Sequence, residues 1–317
     1  MTTETENHLE DDTAPANPWA AQTQPRPQKA SYESNEDVQR WLKEQALEDG
    51  GQKPKFNPTF LALQRDAPWI LSSLAHFYER DLITDVLAAV KSGKEATVFC
   101  CQADPATGYD YLAAKVYRPR MFRSLRNDAI YRQSREWHDE QGRALNESRR
   151  KRSSSKKTGR WKAQQVSSWI EYEFETQRLL YEAGADVPRP LAQIGNAVLM
   201  EYIGEDAGEA APLLREVRLD PAEAQPLFEQ VLRNIELWLA CDRIHGDLSE
   251  YNMLYWQGAI TIIDFAQAVD PRQNPAVYTL LARDIERVCR YFARAGVASD
   301  PAALADDLWT RYEGGEL

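Results

Sequence analysis

The sequence predicts an α+β protein of two lobes, an antiparallel sheet followed by a mainly helical half. Three observations predict it. Helical apolar spacing over residues 67–80 gives way at Leu82 to short β-type segments. Those segments are joined by turn-rich connections of the kind that link antiparallel strands. From Pro221 onward helical spacing dominates again, interrupted by one short hairpin.

In chain order, residues 36–49 fit a short helix that Gly50-Gly51 ends. Residues 67–80 carry Trp69, Ile70, Leu71, Leu74, Phe77 and Tyr78, an amphipathic helical pattern. Segments 82–90, 96–102 and 111–117 read as strands, the last two joined across Asp104-Pro105-Ala106-Thr107-Gly108. Residues 118–168 are polar and basic with weak periodicity. A helix over Trp169–Glu182 should end at Gly184, which suits the left-handed position after a helix. Val187-Pro188-Arg189-Pro190 should be extended, and 196–203 a buried strand. Pro221 opens a helix at a position where a missing N–H costs little, and Leu227, Val231, Ile235 and Leu239 carry its apolar face to about Asp242. Strands 253–256 and 259–263 form a hairpin on Gln257-Gly258, and a last helical region starts near Tyr278. The expected division is an acidic disordered tail (1–35), a helical extension (36–81), a first lobe (82–200) carrying the insertion 118–168, and a second lobe (201–317).

Composition narrows the classes of function. At 317 residues, 43% apolar and 27% charged, the chain reads as an ordinary globular protein. No run approaches the roughly 18 apolar residues that cross a bilayer, and the start lacks a basic then apolar leader. A cytoplasmic protein with no membrane contact is therefore expected. Cys100, Cys101, Cys241 and Cys289 have neither metal-ligand nor disulfide spacing and read as reduced packing residues. A net charge of -11 argues against nucleic-acid affinity spread over the whole chain. Residues 148–160, SRRKRSSSKKTGR, reverse that sign locally.

The chemistry concentrates in His245-Gly246-Asp247-Leu248-Ser249-Glu250-Tyr251-Asn252, followed by Asp264 after the strand of Ile260, Ile262 and Ile263. Phosphoryl transfer needs such a set: one carboxylate to orient a hydroxyl and accept its proton, then an amide oxygen and a second carboxylate to hold metal ions. Each residue alone could be a cap or a turn, but the combined spacing is rare. Upstream, Lys115 stands inside the apolar strand Ala113-Ala114-Lys115-Val116-Tyr117, where an ammonium needs an anion. Nucleotide phosphate and a helix carboxylate would supply it. Glu173 is the candidate partner; Glu171, two residues away, would face elsewhere, so only one can serve. Between the first two strands, Lys91-Ser92-Gly93-Lys94-Glu95-Ala96-Thr97-Val98 occupies the place of a phosphate loop, with Ser92 and Lys94 as candidate contacts. It holds a single glycine, and a polar hairpin would look the same.

Taken in order, S-G-K-E-A-T-V, A-K-V-Y, H-G-D-L-S-E-Y-N-M-L and I-I-D-F-A-Q resemble the RIO family of atypical protein kinases, over roughly residues 82–296. The resemblance implies a compact, two-lobed protein-kinase-like fold and Ser/Thr phosphorylation of a protein, itself included. It implies ATP and Mg2+ as cofactors, with Mn2+ as a substitute. Lys115 would then contact ATP phosphate, the backbone from Glu201 to Ile203 would receive adenine, and Asp247 would accept the proton. Asn252 and Asp264 would bind magnesium, and Asp264 could take phosphate transiently in an ATPase cycle. Two spacings agree. Residues 265–317 leave too little chain for an activation loop and peptide-binding helices, and no Ala-Pro-Glu follows. The stretch from Ile203 to His245 is too short for the pocket of a small-molecule phosphotransferase.

Competing readings are an ATP-driven switch acting on a ribonucleoprotein or ribosome-assembly partner, and a small-molecule kinase, which the missing pocket disfavours. A pseudokinase conflicts with the presence of Lys115, Asp247, Asn252 and Asp264. The basic insertion 118–168 reads either as a solvated loop or as a contact for the ribosome, RNA or an acidic partner that carries autophosphorylation sites among Ser153, Ser154, Ser155 and Thr158. Aromatics for base stacking are sparse there, Trp161 being the main one.

Overall fold

The computed structural model describes residues 54–60, 67–118, 159–205, 209–273 and 277–317. The expected acidic tail, the short helix over 36–49 and residues 119–158 of the basic insertion lie outside the described residues.

Helix α1 (Ala67–Glu79) buries Ile70, Leu74 and Phe77, spaced as one helix face, against a five-stranded antiparallel sheet. The strands are β1 (Ile83–Ser92), β2 (Ala96–Ala103), β3 (Tyr111–Tyr117), β4 (Pro190–Ile194) and β5 (Ala197–Glu201), in the order β1-β2-β3-β5-β4. Beside α1, Phe56 stacks on Tyr78 with ring centroids 4.8 Å apart, and the Asp85 carboxylate accepts from the Thr59 N–H and hydroxyl at 2.9 and 2.8 Å. Helix α2 (Gly159–Glu182) lies between the sheet and the second lobe. Its end follows the expected glycine chemistry. Gly184 adopts φ 89°, and the Ala185 N–H returns to the Leu180 carbonyl at 2.9 Å.

The second lobe holds α3 (Pro221–Ala240), the hairpin β6 (Met253–Trp256) and β7 (Ala259–Ile262), α4 (Tyr278–Ala293) and α5 (Pro301–Glu313). The Asp220 carboxylate caps α3 through the Ala222 N–H at 2.9 Å, and Asp300 caps α5 through Ala302 and Ala303. All four residues expected to form the apolar face of α3, Leu227, Val231, Ile235 and Leu239, are buried. Gln257 and Gly258 both take positive φ, as a two-residue hairpin turn requires. The antiparallel sheet and the mainly helical second lobe expected from the sequence are therefore both present. Among the described residues no helix is long and apolar enough to cross a membrane.

Among the described residues, three hydrophobic clusters position the site. One lies between α1 and the sheet, and one fills the second lobe. A small third cluster of Tyr117, Trp169, Ile170, Val198 and Ala266 joins β3, α2 and β5 to the turn after Asp264.

The structure departs from sequence expectation in three places. Helix α2 begins at Gly159, ten positions before the expected Trp169, so the end of the presumed loop is helical. Extending a helix from an already packed end fixes one residue per hydrogen bond and skips the costly nucleation step, so weak apolar periodicity does not stop it. Residues 190–194 form β4, where only a short extended stretch over 187–190 was expected; a proline is tolerated as the first residue of an edge strand. Strand β1 runs to Ser92, which places Lys91 and Ser92 in the sheet and not in the turn. Cys100 and Cys101 are both buried, and neither forms a disulfide.

Candidate active site

Lys115 lies mid-strand in β3, paired to Val98 on one side and Val198 on the other. Its ammonium donates to Glu173 Oε1 at 2.7 Å and to Asp264 Oδ1 at 2.8 Å. One cation thus ties the sheet, α2 and the second lobe together. Glu173 follows Ile170 by three positions and shares its buried face of α2, whereas Glu171 is exposed. Tyr117, two residues beyond Lys115 and so on the same strand face, donates its hydroxyl to Glu173 Oε2. Its ring meets Trp169 edge-on at 5.1 Å and lies 5.1 Å below the Lys115 ammonium. The sequence pattern gave no sign of the Tyr117 contact.

The electrostatics follow from this packing. Burial works against the charge on Lys115, but Asp264 and then Glu173 outweigh it, and its affinity for a proton rises well above the ordinary lysine value. Burial lifts the Glu173 carboxyl above its usual range, with Lys115 pulling it back in part. Asp264 is about half exposed. Withdrawal from water opposes its ionisation, Lys115 prevails, and the carboxyl is held below its usual range. Asp264 has φ 72°, the left-handed region that aspartate tolerates better than most residues.

The catalytic-loop candidates are fixed mainly through their backbone. Gly246 takes φ 76°, a conformation that an L side chain rarely adopts. Asp284 of α4 accepts from the N–H groups on either side of Asp247, Gly246 at 2.7 Å and Leu248 at 3.1 Å. Arg283 donates to the Gly246 carbonyl. His245 Nδ1 accepts from the Asp247 N–H at 3.3 Å, and its Nε2 lies 3.2 Å from the Ile263 carbonyl, which assigns the ring proton to Nε2. Burial lowers the His245 pKa, keeping the ring neutral in that role. Asn252 Nδ2 donates to the Asp247 carbonyl at 2.9 Å, and the Asn252 carbonyl accepts from Ile263 N–H at 2.9 Å. One asparagine therefore couples the Asp247 loop to the strand that delivers Asp264. The Asp247 carboxylate itself pairs with Arg287 of α4 at 2.7 Å.

Sequence reasoning missed Arg283, Asp284 and Arg287. A signal existed. Asp284 falls in register with Leu281, Ile285 and Val288 on the buried face of α4, and a carboxylate there requires donors. It is 2% exposed, and burial pushes its pKa up to about 7, against the pull of Arg283 and the two N–H groups.

The remaining candidates are placed as follows. Ser92 ends β1 opposite Thr97, and Arg118 bridges the two hydroxyls at 2.6 and 2.9 Å, so Ser92 is engaged at the root of the hairpin. The Gly93 N–H to Ala96 carbonyl bond, 2.8 Å, closes the turn that leaves Lys94 exposed at its tip. Glu201 closes β5 opposite Leu112, and its carboxylate accepts from the Arg189 N–H at 3.1 Å. The Ile203 carbonyl accepts from Ala211 at 2.8 Å.

These donors fit a magnesium nucleotide. Among the described residues no three His, Cys, Asp or Glu side chains could hold a metal by themselves. Mg2+ in phosphoryl-transfer sites takes one or two protein oxygens and completes its shell with phosphates and water. Asp264 offers a carboxylate, and Asn252, its amide nitrogen engaged, offers an amide oxygen.

Comparison with known proteins converges on one family. The RIO domain model matches residues 115–304, more than half of the chain, starting at Lys115 itself. The chain is 31% identical over 218 residues to the RIO-type serine/threonine-protein kinase Rio1 of Haloferax volcanii, covering 68% of this chain and 66% of that protein. It is 29% identical over 226 residues to serine/threonine-protein kinase RIO1 of Caenorhabditis elegans, covering 71% of this chain and 40% of that one. It thus spans about two fifths of the length of the Caenorhabditis elegans and Schizosaccharomyces pombe relatives, 40% and 41%. Among solved structures, the Rio2 kinase of Chaetomium thermophilum in an ADP/Mg2+-phosphoaspartate complex superposes with a TM-score of 0.55 at 19% identity, covering 86% of this chain and 85% of that one.

Proposed function

Because the chain belongs to the RIO family, we propose that it is an ATP- and Mg2+-dependent serine/threonine protein kinase that transfers the γ-phosphoryl group to a protein hydroxyl, its own included. The observation that carries the reading is the Lys115 ammonium held between Glu173 and Asp264, beside a loop that presents Asp247 and Asn252. In this reading Lys115 neutralises nucleotide phosphate and Glu173 keeps it aimed. The backbone from Glu201 to Ile203 receives adenine; since the Ile203 carbonyl is engaged by Ala211, that residue contributes its N–H. The turn after Ser92, with Lys94, covers the phosphates. Asp247 takes the proton of the acceptor hydroxyl as its oxygen bonds to the γ-phosphorus and the bond to the ADP oxygen breaks. Asn252 and Asp264 would hold Mg2+, which when bound neutralises phosphate charge, and oxygen ligands of this kind would also take Mn2+.

A second reading is an ATPase cycle in which an Asp264 oxygen attacks the γ-phosphorus, ADP leaves, and water later cleaves the acyl phosphate. Two observations favour it: the Asp264 carboxylate is about half exposed at the site, and the Chaetomium thermophilum Rio2 kinase was captured as a phosphoaspartate complex. Such a cycle would suit a switch on a ribonucleoprotein partner.

Incubation with γ-labelled ATP and magnesium separates the two. Hydroxylamine-stable label on serine or threonine supports the kinase. Free phosphate with a hydroxylamine-labile adduct at Asp264 supports the switch. Neither product would refute both.

A further inference from the structure

We infer that Arg287 is a positioning residue for Asp247, holding one carboxylate oxygen so that the other meets the acceptor hydroxyl. The inference rests on the reading of Asp247 as proton acceptor. The loop around Asp247 has two kinds of anchor. Its backbone is held by Asp284, Arg283, His245 and Asn252. Those bonds fix where the Asp247 Cα stands, but leave the side chain to rotate. The Asp247 side chain is 52% exposed, and Arg287 Nη1 meets its Oδ1 at 2.7 Å.

Helix geometry explains why α4 supplies both kinds of anchor. Positions 283, 284 and 287 are i, i+1 and i+4, so 283 and 287 lie one turn apart on the side that faces the loop. The Asp284 carboxylate reaches inward to the backbone, and the Arg287 guanidinium reaches outward to the side chain. Stability does not account for the pair. Both partners are substantially exposed, 32% for Arg287, and exposed ion pairs contribute little to folding. Orientation does account for it. A single N–H to Oδ1 restrains which way the Asp247 side chain points and leaves Oδ2 open, and proton transfer is sensitive to small misplacements.

The test is a kinetic cycle on the full chain with Arg287→Ala, Arg287→Lys, Asp247→Asn and the double variant Arg287→Ala/Asp247→Asn. Turnover is read as phosphate transferred to protein or released. Arg287→Ala should lower kcat by about 10–100-fold with KM for ATP changed less than about 2-fold and the thermal midpoint nearly unmoved. Arg287→Lys should recover part of that loss. In the Asp247→Asn background the same arginine substitution should cost no further activity, because there is no base left to orient. An equal fold-loss in both backgrounds would overturn the inference, since the arginine would then act independently of Asp247. So would full activity of Arg287→Ala beside an inactive Asp247→Asn. Undiminished activity of Asp247→Asn would instead overturn the reading of Asp247 as base, whatever Arg287 does.

Discussion

Asp284→Asn gives the sharpest separation of structure from charge at this site. The carboxylate is buried, accepts two backbone N–H bonds, and has a pKa of about 7. An unfolded aspartate titrates near roughly 3.9. The folded protein therefore binds the proton more tightly than the unfolded chain. Proton linkage then makes the contribution of Asp284 to stability fully present below about pH 4 and lost as pH rises through about 7. Integrated between pH 5 and pH 8, that loss is about 2.6 kcal/mol.

Asparagine keeps the shape but cannot titrate. Its oxygen can accept one loop N–H, while its NH2 opposes the other, so activity should fall about 10-fold through a displaced Asp247. Urea unfolding of both proteins at pH 5, 6, 7 and 8 measures the difference. The wild type should lose about 2–3 kcal/mol relative to the variant across that range. A difference that stays flat within about 0.5 kcal/mol would mean that the Asp284 carboxyl titrates in the folded protein as it does unfolded. Working at pH 5 and above leaves most other carboxylates ionised in both proteins, so the contrast belongs to this one group.

Three further outcomes are expected. Glu173→Gln should cut turnover roughly 10-fold or more through a mispositioned Lys115, and Glu171→Gln should not; steady-state assays with the reverse ranking would place the helix face wrongly. Asp264→Asn should abolish both magnesium-dependent activity and any hydroxylamine-labile phosphoprotein, read by labelled ATP and hydroxylamine release; an adduct that persists moves the phosphoacceptor elsewhere. Deleting residues 148–160 should leave ATP binding and the melting midpoint unchanged, lower autophosphorylation if Ser153, Ser154 or Ser155 is the acceptor, and weaken any RNA or ribosome association together with its salt sensitivity; phosphosites found only outside 118–168 with unchanged partner binding would reduce the segment to an inert insertion.

The fold was legible where local pattern and tertiary role coincide. The face of α3 read from Leu227, Val231, Ile235 and Leu239 is the buried face, and the Gln257-Gly258 turn carries the positive φ values that its hairpin needs. The motif residues were legible for a different reason. Lys115 inside an apolar strand is an exception to local pattern, and a buried ammonium demands a partner; Asp264 was legible from its spacing after the His245–Asn252 motif. What stayed hidden depends on tertiary contact. Strand β4 at the sheet edge carries little hydrophobic alternation, and the first turns of α2 are polar. Arg287 looks like any arginine on an amphipathic helix until α4 is laid beside the Asp247 loop. Asp284 could have been found, because it breaks the apolar register of Leu281, Ile285 and Val288.

The site is thus held from two sides that should fail differently. On the sheet side, Lys115 and Tyr117 converge on buried Glu173, above the small cluster that includes Trp169 and Ala266. Removing that carboxylate leaves a buried ammonium and a buried hydroxyl short of a partner, and breaking such a pair typically costs about 3–5 kcal/mol. Asp264 still faces Lys115, so the lower end of that range applies. On the helical side, the Asp247–Arg287 pair is exposed, and breaking it should cost fold stability about 0–1 kcal/mol. Both lesions touch the proposed site, yet one should lower stability and turnover together while the other lowers turnover alone. Paired melts and rates for Glu173→Ala and Arg287→Ala distinguish them: equal destabilisation by the two variants would mean that the Arg287 contact belongs to the packing of α4 and not to the orientation of Asp247.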